Sequence, residues 1–96
     1  MFGRATTSTR RVTVVRRAGL HARPCLAIAN TVRRFNAKVE ICRGREKVNA
    51  GDVLQLMTLG APQGTELTIS ASGPEAEPAL DALEHLFADG FGLPGD

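Results

Sequence analysis

Apolar residues recur along the chain at two periods, and the switches between them mark out its elements. Arg11–Arg16 (RVTVVR) is rich in β-branched residues and predicts a strand. After a break at Ala18-Gly19, the residues Cys25, Ile28, Ala29, Val32 and Phe35 recur at helical spacing, with Arg33 and Arg34 turned outward. This pattern predicts an amphipathic helix that starts at Ala22 and is stopped by Asn36. Lys38–Cys42 alternates, with Val39 and Ile41 on one face, and Arg43-Gly44 turns it into a second strand at Glu46–Asn49. Asp52 stands where it can N-cap a short helix bearing Val53, Leu54, Leu56, Met57 and Leu59, which Gly60 stops. The turn Ala61-Pro62-Gln63-Gly64 leads to a strand at Glu66–Ala71, with Leu67, Ile69 and Ala71 facing inward. Gly73-Pro74 opens a last helix, Pro74 in its first position, whose buried stripe is Ala76, Ala79, Leu80, Leu83 and Phe87. Pro78, one turn in, is expected to leave that first turn loose.

The order is strand, helix, strand, strand, helix, strand, helix. Every apolar stripe is satisfied by an α+β fold in which three helices cover one face of a four-stranded, mostly antiparallel sheet. The domain is expected over 11–90, with a disordered lead at 1–10 and a Gly/Pro-rich tail at 91–96. The 96 residues include no Trp, no Tyr and four Phe, so the core is aliphatic.

Twelve basic residues against ten acidic ones give a net charge of +2, unevenly spread. The arginines crowd the first half and the acids the last third, which predicts one electropositive face suited to an anionic partner. A nucleic-acid binder would carry a stronger basic stripe and aromatic stacking residues on its strands, so no nucleic-acid partner is expected. No apolar run approaches membrane-spanning length, and Met1–Thr9 lacks the apolar stretch of a secretory signal. A cytoplasmic monomer is expected. Cys25 and Cys42 fit neither a metal spacing nor a redox pair and read as free thiols.

Of the two histidines, His85 lies within the last helix and is assigned nothing. His21 lies in Gly19-Leu20-His21-Ala22-Arg23-Pro24, where the first loop becomes the first helix. As N-cap it would face the backbone N–H groups of Ala22 and Arg23, which have no partners within the helix, while Pro24 tolerates a first-turn position. The positive end of the helix dipole and Arg16, Arg17 and Arg23 would favour the neutral, nucleophilic imidazole and then stabilise a phosphoryl group attached to it. Arg23 could hydrogen-bond a phosphoryl oxygen. Taken alone, one histidine before a helix favours the reading of a plain helix cap. No second ligand stands at metal-binding spacing.

The segment Gly19–Pro24 (GLHARP) resembles the active-site signature of the HPr family, the histidine phosphocarriers of the bacterial phosphoenolpyruvate-dependent phosphotransferase system. Lys47-Val48-Asn49, Val53–Gly60 (VLQLMTLG) and Thr65–Gly73 (TELTISASG) resemble further blocks of that family, so the likeness spans about residues 11–90. It implies an open-faced β-sandwich. It also implies a histidine at the position of His21 that takes a phosphoryl group on Nδ1 from enzyme I and passes it to an enzyme IIA domain. The arginine at the position of Arg23 would stabilise the phosphoryl group. The chain would then be a carrier in sugar uptake or a related regulatory relay, needing no cofactor, and not a stand-alone enzyme. The alternative is a regulatory module that docks on targets according to its phosphorylation state.

The family's docking surface maps to Leu26, Val53, Leu54 and Met57, rimmed by Arg23 and Arg33. The second helix is apolar on nearly every side and cannot bury all of these residues, so some should stay exposed. Where many members of the family carry a regulatory serine, this chain has Asp52, which is not phosphorylatable by a serine kinase. Asp52 is then either a plain N-cap or a standing imitation of phosphoserine, and the cap is the favoured reading.

Overall fold

A computed structural model describes residues 7–93. The elements are β1 (Thr7–Thr13), α1 (Ala22–Val32), β2 (Lys38–Arg43), β3 (Glu46–Asn49), α2 (Val53–Thr58), β4 (Glu66–Ser72) and α3 (Ala76–Ala88), followed by a 3₁₀ turn at Gly90–Gly92. The strands form one sheet in the order β1-β4-β2-β3, and every neighbouring pair is antiparallel. The sheet is therefore wholly, not mostly, antiparallel.

The register puts Val12 opposite Leu67, Ile41 opposite both Ile69 and Val48, and Val39 opposite Ala71. The period of two then places all of these on one face, where they are buried beneath the helices. Ile28 of α1, Leu56 of α2 and Leu80, Leu83 and Phe87 of α3 close the core from above. The other face stays polar, with Thr9, Arg11, Lys38, Thr68 and Ser70 along it.

Several boundaries move from where the sequence put them. Strand β1 begins at Thr7 and ends at Thr13, because β4 offers partners from Ser72 opposite Thr7 to Glu66 opposite Thr13. Thr7–Arg10 thus belong to the domain and not to a lead segment. Arg10 turns to the helix side, where its guanidinium meets Glu77 (2.7 Å), Asp81 (2.8 Å) and Glu84 (2.8 Å) of α3. Helix α1 ends at Val32, with Arg33 as C-cap, so Asn36 lies beyond it. Phe35 still packs on the core, but from the loop.

Helix α3 starts at Ala76, with Glu75 as N-cap, so Pro74 precedes the helix and does not open it. Pro78 is its third residue, and the first helical bond runs from Ala79 N–H to Glu75 C=O (3.1 Å). The N–H that Pro78 lacks would have had no helical acceptor, so the first turn is not loosened. The chain past α3 is not a loose tail up to Leu93. Phe91 is 4 % exposed, and its ring stands edge-on to Phe87 with centroids 4.8 Å apart. The expected lead at 1–6 and the last tail residues 94–96 lie outside the described residues.

Candidate functional site

The segment between β1 and α1 is stitched along one side to the turn before β4. Val14 N–H donates to Thr65 C=O (2.9 Å), Gly64 N–H to Val14 C=O (2.7 Å) and Leu20 N–H to Ala61 C=O (2.8 Å). The Gln63 amide donates to Val15 C=O (3.1 Å). Between these anchors Gly19 N–H donates to Arg16 C=O (3.1 Å), closing a four-residue turn. Gly19 has φ +74°, and a Cβ there would lie 2.6 Å from Ala61 O. Both the left-handed backbone and the close approach require glycine. Leu20 is then buried, and the chain delivers His21 to the start of α1.

His21 is the N-cap of α1, with extended backbone (φ −117°, ψ −166°), and its C=O accepts from Cys25 N–H (3.1 Å). Its side chain makes no capping hydrogen bond. The imidazole is therefore not engaged in capping α1, and the cap is made by the backbone alone. Ala22 and Arg23 are exposed, and as first-turn residues their N–H groups have no helical acceptor; Pro24 has no N–H. His21 is half-buried at the head of α1, the first-turn N–H groups of Ala22 and Arg23 have no helical acceptor, and Arg23, two residues on, is exposed. This is the arrangement that suits a tetrahedral anion.

Arg16 Nη1 donates to Gly90 O (3.1 Å) and Leu93 O (3.3 Å) in the C-terminal turn. Cys25, four residues after His21, is buried, and burial pushes its thiol up to about 11, so it remains a neutral packing group at physiological pH. Among the described residues no cluster of three or more His, Cys, Asp or Glu comes together to hold a metal ion. No helix among them is long and apolar enough to cross a membrane.

Helices α1 and α2 pack against each other, and the apolar residues of α2 divide between two fates. Leu56 and Leu59 are buried, and Val53 is partly buried against the core. Leu54 and Met57 are 77 % and 43 % exposed, and Leu26 of α1 is 50 % exposed. Arg33 is exposed and donates from Nη2 to Gly51 O (3.0 Å), tying the end of α1 to the start of α2. Val15, 49 % exposed in the stitched segment, is an apolar surface residue that the strand pattern concealed.

Asp52 is the N-cap of α2. Its carboxylate accepts from Gln55 N–H (3.1 Å) and from the Gln55 side-chain amide (3.2 Å). Gln55 Oε1 in turn accepts from Asn49 N–H (2.9 Å). At the other end Arg43 donates to Leu59 O (2.7 Å) and Gly60 O (3.0 Å), a cationic C-cap supplied by β2 that helical periodicity could not reveal. A six-residue helix is marginal by itself, and these two caps hold it in place.

The family model described as the PTS HPr component phosphorylation site matches residues 8–89. A phosphocarrier protein HPr of Treponema pallidum is 39 % identical over 80 residues, covering 83 % of this chain and 91 % of that protein. A phosphocarrier protein NPr of Proteus mirabilis is 37 % identical over 87 residues, covering 88 % of this chain and 96 % of that protein. Among solved structures, HPr-C-His from Thermoanaerobacter tengcongensis superposes with a TM-score of 0.86 at 31 % identity, covering 92 % of this chain and 99 % of that one. The fold, with its four-stranded antiparallel sheet and three helices, is the HPr fold, and the chain belongs to the HPr family of phosphocarriers of the phosphotransferase system.

Proposed function

We propose that His21 is the residue that carries the phosphoryl group, accepting it from enzyme I and yielding it to an enzyme IIA domain. The observation that carries this reading is the imidazole of His21 at the N-terminus of α1, which makes no capping hydrogen bond there. In the first step the Nδ1 lone pair attacks phosphorus. The N–P bond to His21 forms as the bond between phosphorus and the donor breaks, and the bonding pair stays with the donor. The second step reverses this, with a nucleophile of the IIA domain attacking phosphorus and the His21 imidazole leaving.

Little covalent machinery is needed for either step, because positioning and charge stabilisation supply most of the rate. Arg23 and the N–H groups of Ala22 and Arg23 receive the phosphoryl oxygens. The exposed Leu26, Leu54 and Met57 form the docking patch, with Val53 beneath it and Arg33 on its rim. Both partners use this one patch in turn, and the carrier acts as a monomer. Asp52 serves as a cap where relatives can be switched by a serine kinase, so this carrier lacks that control.

The test is incubation with enzyme I and labelled phosphoenolpyruvate. The expected product is one acid-labile, base-stable phosphate, absent from His21→Ala and discharged by a IIA domain. Label that persists in His21→Ala, or no label in the wild type, would remove the reading.

A further inference from the structure

The described C-terminal turn is built in an expensive conformation. Gly90, Phe91 and Gly92 have φ of 66°, 65° and 68°, three successive left-handed residues of which Phe91 is not glycine. A bulky residue held there is strained and persists only where its surroundings over-determine it. Here the Phe91 ring is buried against Phe87, and the turn contacts α1 as well as α3. The turn also presents two carbonyls, Gly90 O and Leu93 O, to a single side chain, Arg16.

Arg16 is also the residue whose own C=O closes the turn to Gly19, two residues before His21. Its side chain is therefore clasped by the turn at 90–93, while its backbone opens the turn that leads to the histidine. The same segment is also stitched to 61–65, where Gly19 has no room to shift toward Ala61. The segment before His21 is thus held from two directions by parts of the chain far apart in sequence.

We infer that Arg16 and the Gly90–Gly92 turn form a positioning clasp that sets the orientation of His21 for phosphoryl transfer, without touching the phosphoryl group. This rests on the proposal that His21 is the carrier. Small misplacements of a reacting group are costly in transfer chemistry. Removing the clasp should therefore slow turnover while leaving the docking patch, and so the KM for enzyme I, unchanged.

The experiment compares wild type, Arg16→Ala, Arg16→Lys, Phe91→Leu and Arg10→Ala in single-turnover and steady-state phosphorylation by enzyme I, with melting temperatures measured alongside. Arg10→Ala breaks a different link between β1 and α3 and controls for lost stability. The expected result is a roughly tenfold fall in kcat for Arg16→Ala at unchanged KM, a smaller fall for Phe91→Leu, and partial recovery in Arg16→Lys. Arg10→Ala should transfer at the wild-type rate. The chemical shifts of the His21 ring should move in Arg16→Ala and not in Arg10→Ala, a reading that holds even where a variant is destabilised.

A wild-type kcat in Arg16→Ala, or unmoved His21 shifts, would overturn the clasp. A rise in KM alone that vanishes at high salt would also overturn it, by assigning Arg16 to electrostatic steering. Failure of the wild type to accept phosphate would sink the carrier reading itself, and the two failures are distinguishable in the same assay.

Discussion

Helices α2 and α3 sit on the same side of the sheet and treat their apolar residues in opposite ways. Helix α3 has thirteen residues and buries its whole stripe, from Ala76 to Phe87, while its outer edge carries Glu77, Asp81 and Glu84 clamped by Arg10. Helix α2 has six residues, buries Leu56, and leaves Leu54 and Met57 in water. A long helix with one stripe can satisfy itself against the sheet, and its charges serve only to fix its edge. A short helix that is apolar on most sides cannot, and the surplus becomes a surface that another protein can cover. The difference separates the part of the molecule that holds the fold from the part proposed to meet partners.

The strongest challenge to that division is Leu80→Ala. Leu80 is fully buried in α3, so the truncation should cost about 2–5 kcal/mol in denaturant unfolding, while the protein that remains folded still accepts phosphate from enzyme I. A selective loss of partner binding would mean that α3 also docks.

Next in size is Leu54→Ala. Leu54 is 77 % exposed, so stability should change by no more than about 0.5 kcal/mol. Affinity for enzyme I by titration calorimetry should fall about tenfold. Unchanged affinity would remove Leu54 from the patch.

Asp52→Ala removes the cap of α2 and should lower stability by about 1 kcal/mol, with little change in phosphorylation rate. A many-fold faster rate would mark Asp52 as an imitation of phosphoserine that holds enzyme I away.

The smallest effect belongs to Arg10→Ala, which should lower the melting temperature only slightly, since the partners are exposed and screened. The Ser8 hydroxyl first, and then the Arg10 guanidinium, hold the Glu77 carboxyl below its ordinary value of 4.5. A depressed carboxylate contributes stability that is present above its ordinary value and is lost as pH falls through its folded value. The gap in melting temperature between wild type and variant should thus be full at pH 7 and close below pH 4.5. A gap that persists in acid would mean that Arg10 acts by packing alone.

Much of this was legible from local pattern. Val39 and Ile41 alternate, Leu80 and Leu83 share a helical stripe, and Asp52 precedes a short apolar run, so these strands, helices and the cap follow from the local pattern. The helix start makes His21 chemically plausible, and the resemblance of Gly19–Pro24 to the HPr signature singles it out. The boundaries were less secure where the deciding partner is remote. Nothing in Thr7–Arg10 alternates apolar and polar residues, and only pairing with β4 makes it a strand. Pro78 is disruptive by local pattern, but the helix start, set by Glu75, places it where no N–H is required.

The sequence by itself determined the order of elements, the aliphatic core and the histidine at the head of α1, because periodicity, capping and turn preference act over a few residues. The tertiary structure alone decided which apolar residues of α2 remain outside, where the arginines go and whether the C-terminal turn docks. Arg10 finds its carboxylates 67 to 74 positions away, and Arg16 its carbonyls 74 and 77 away. Long, flexible side chains take whatever partner the packed chain brings within reach, and that choice has no local signature.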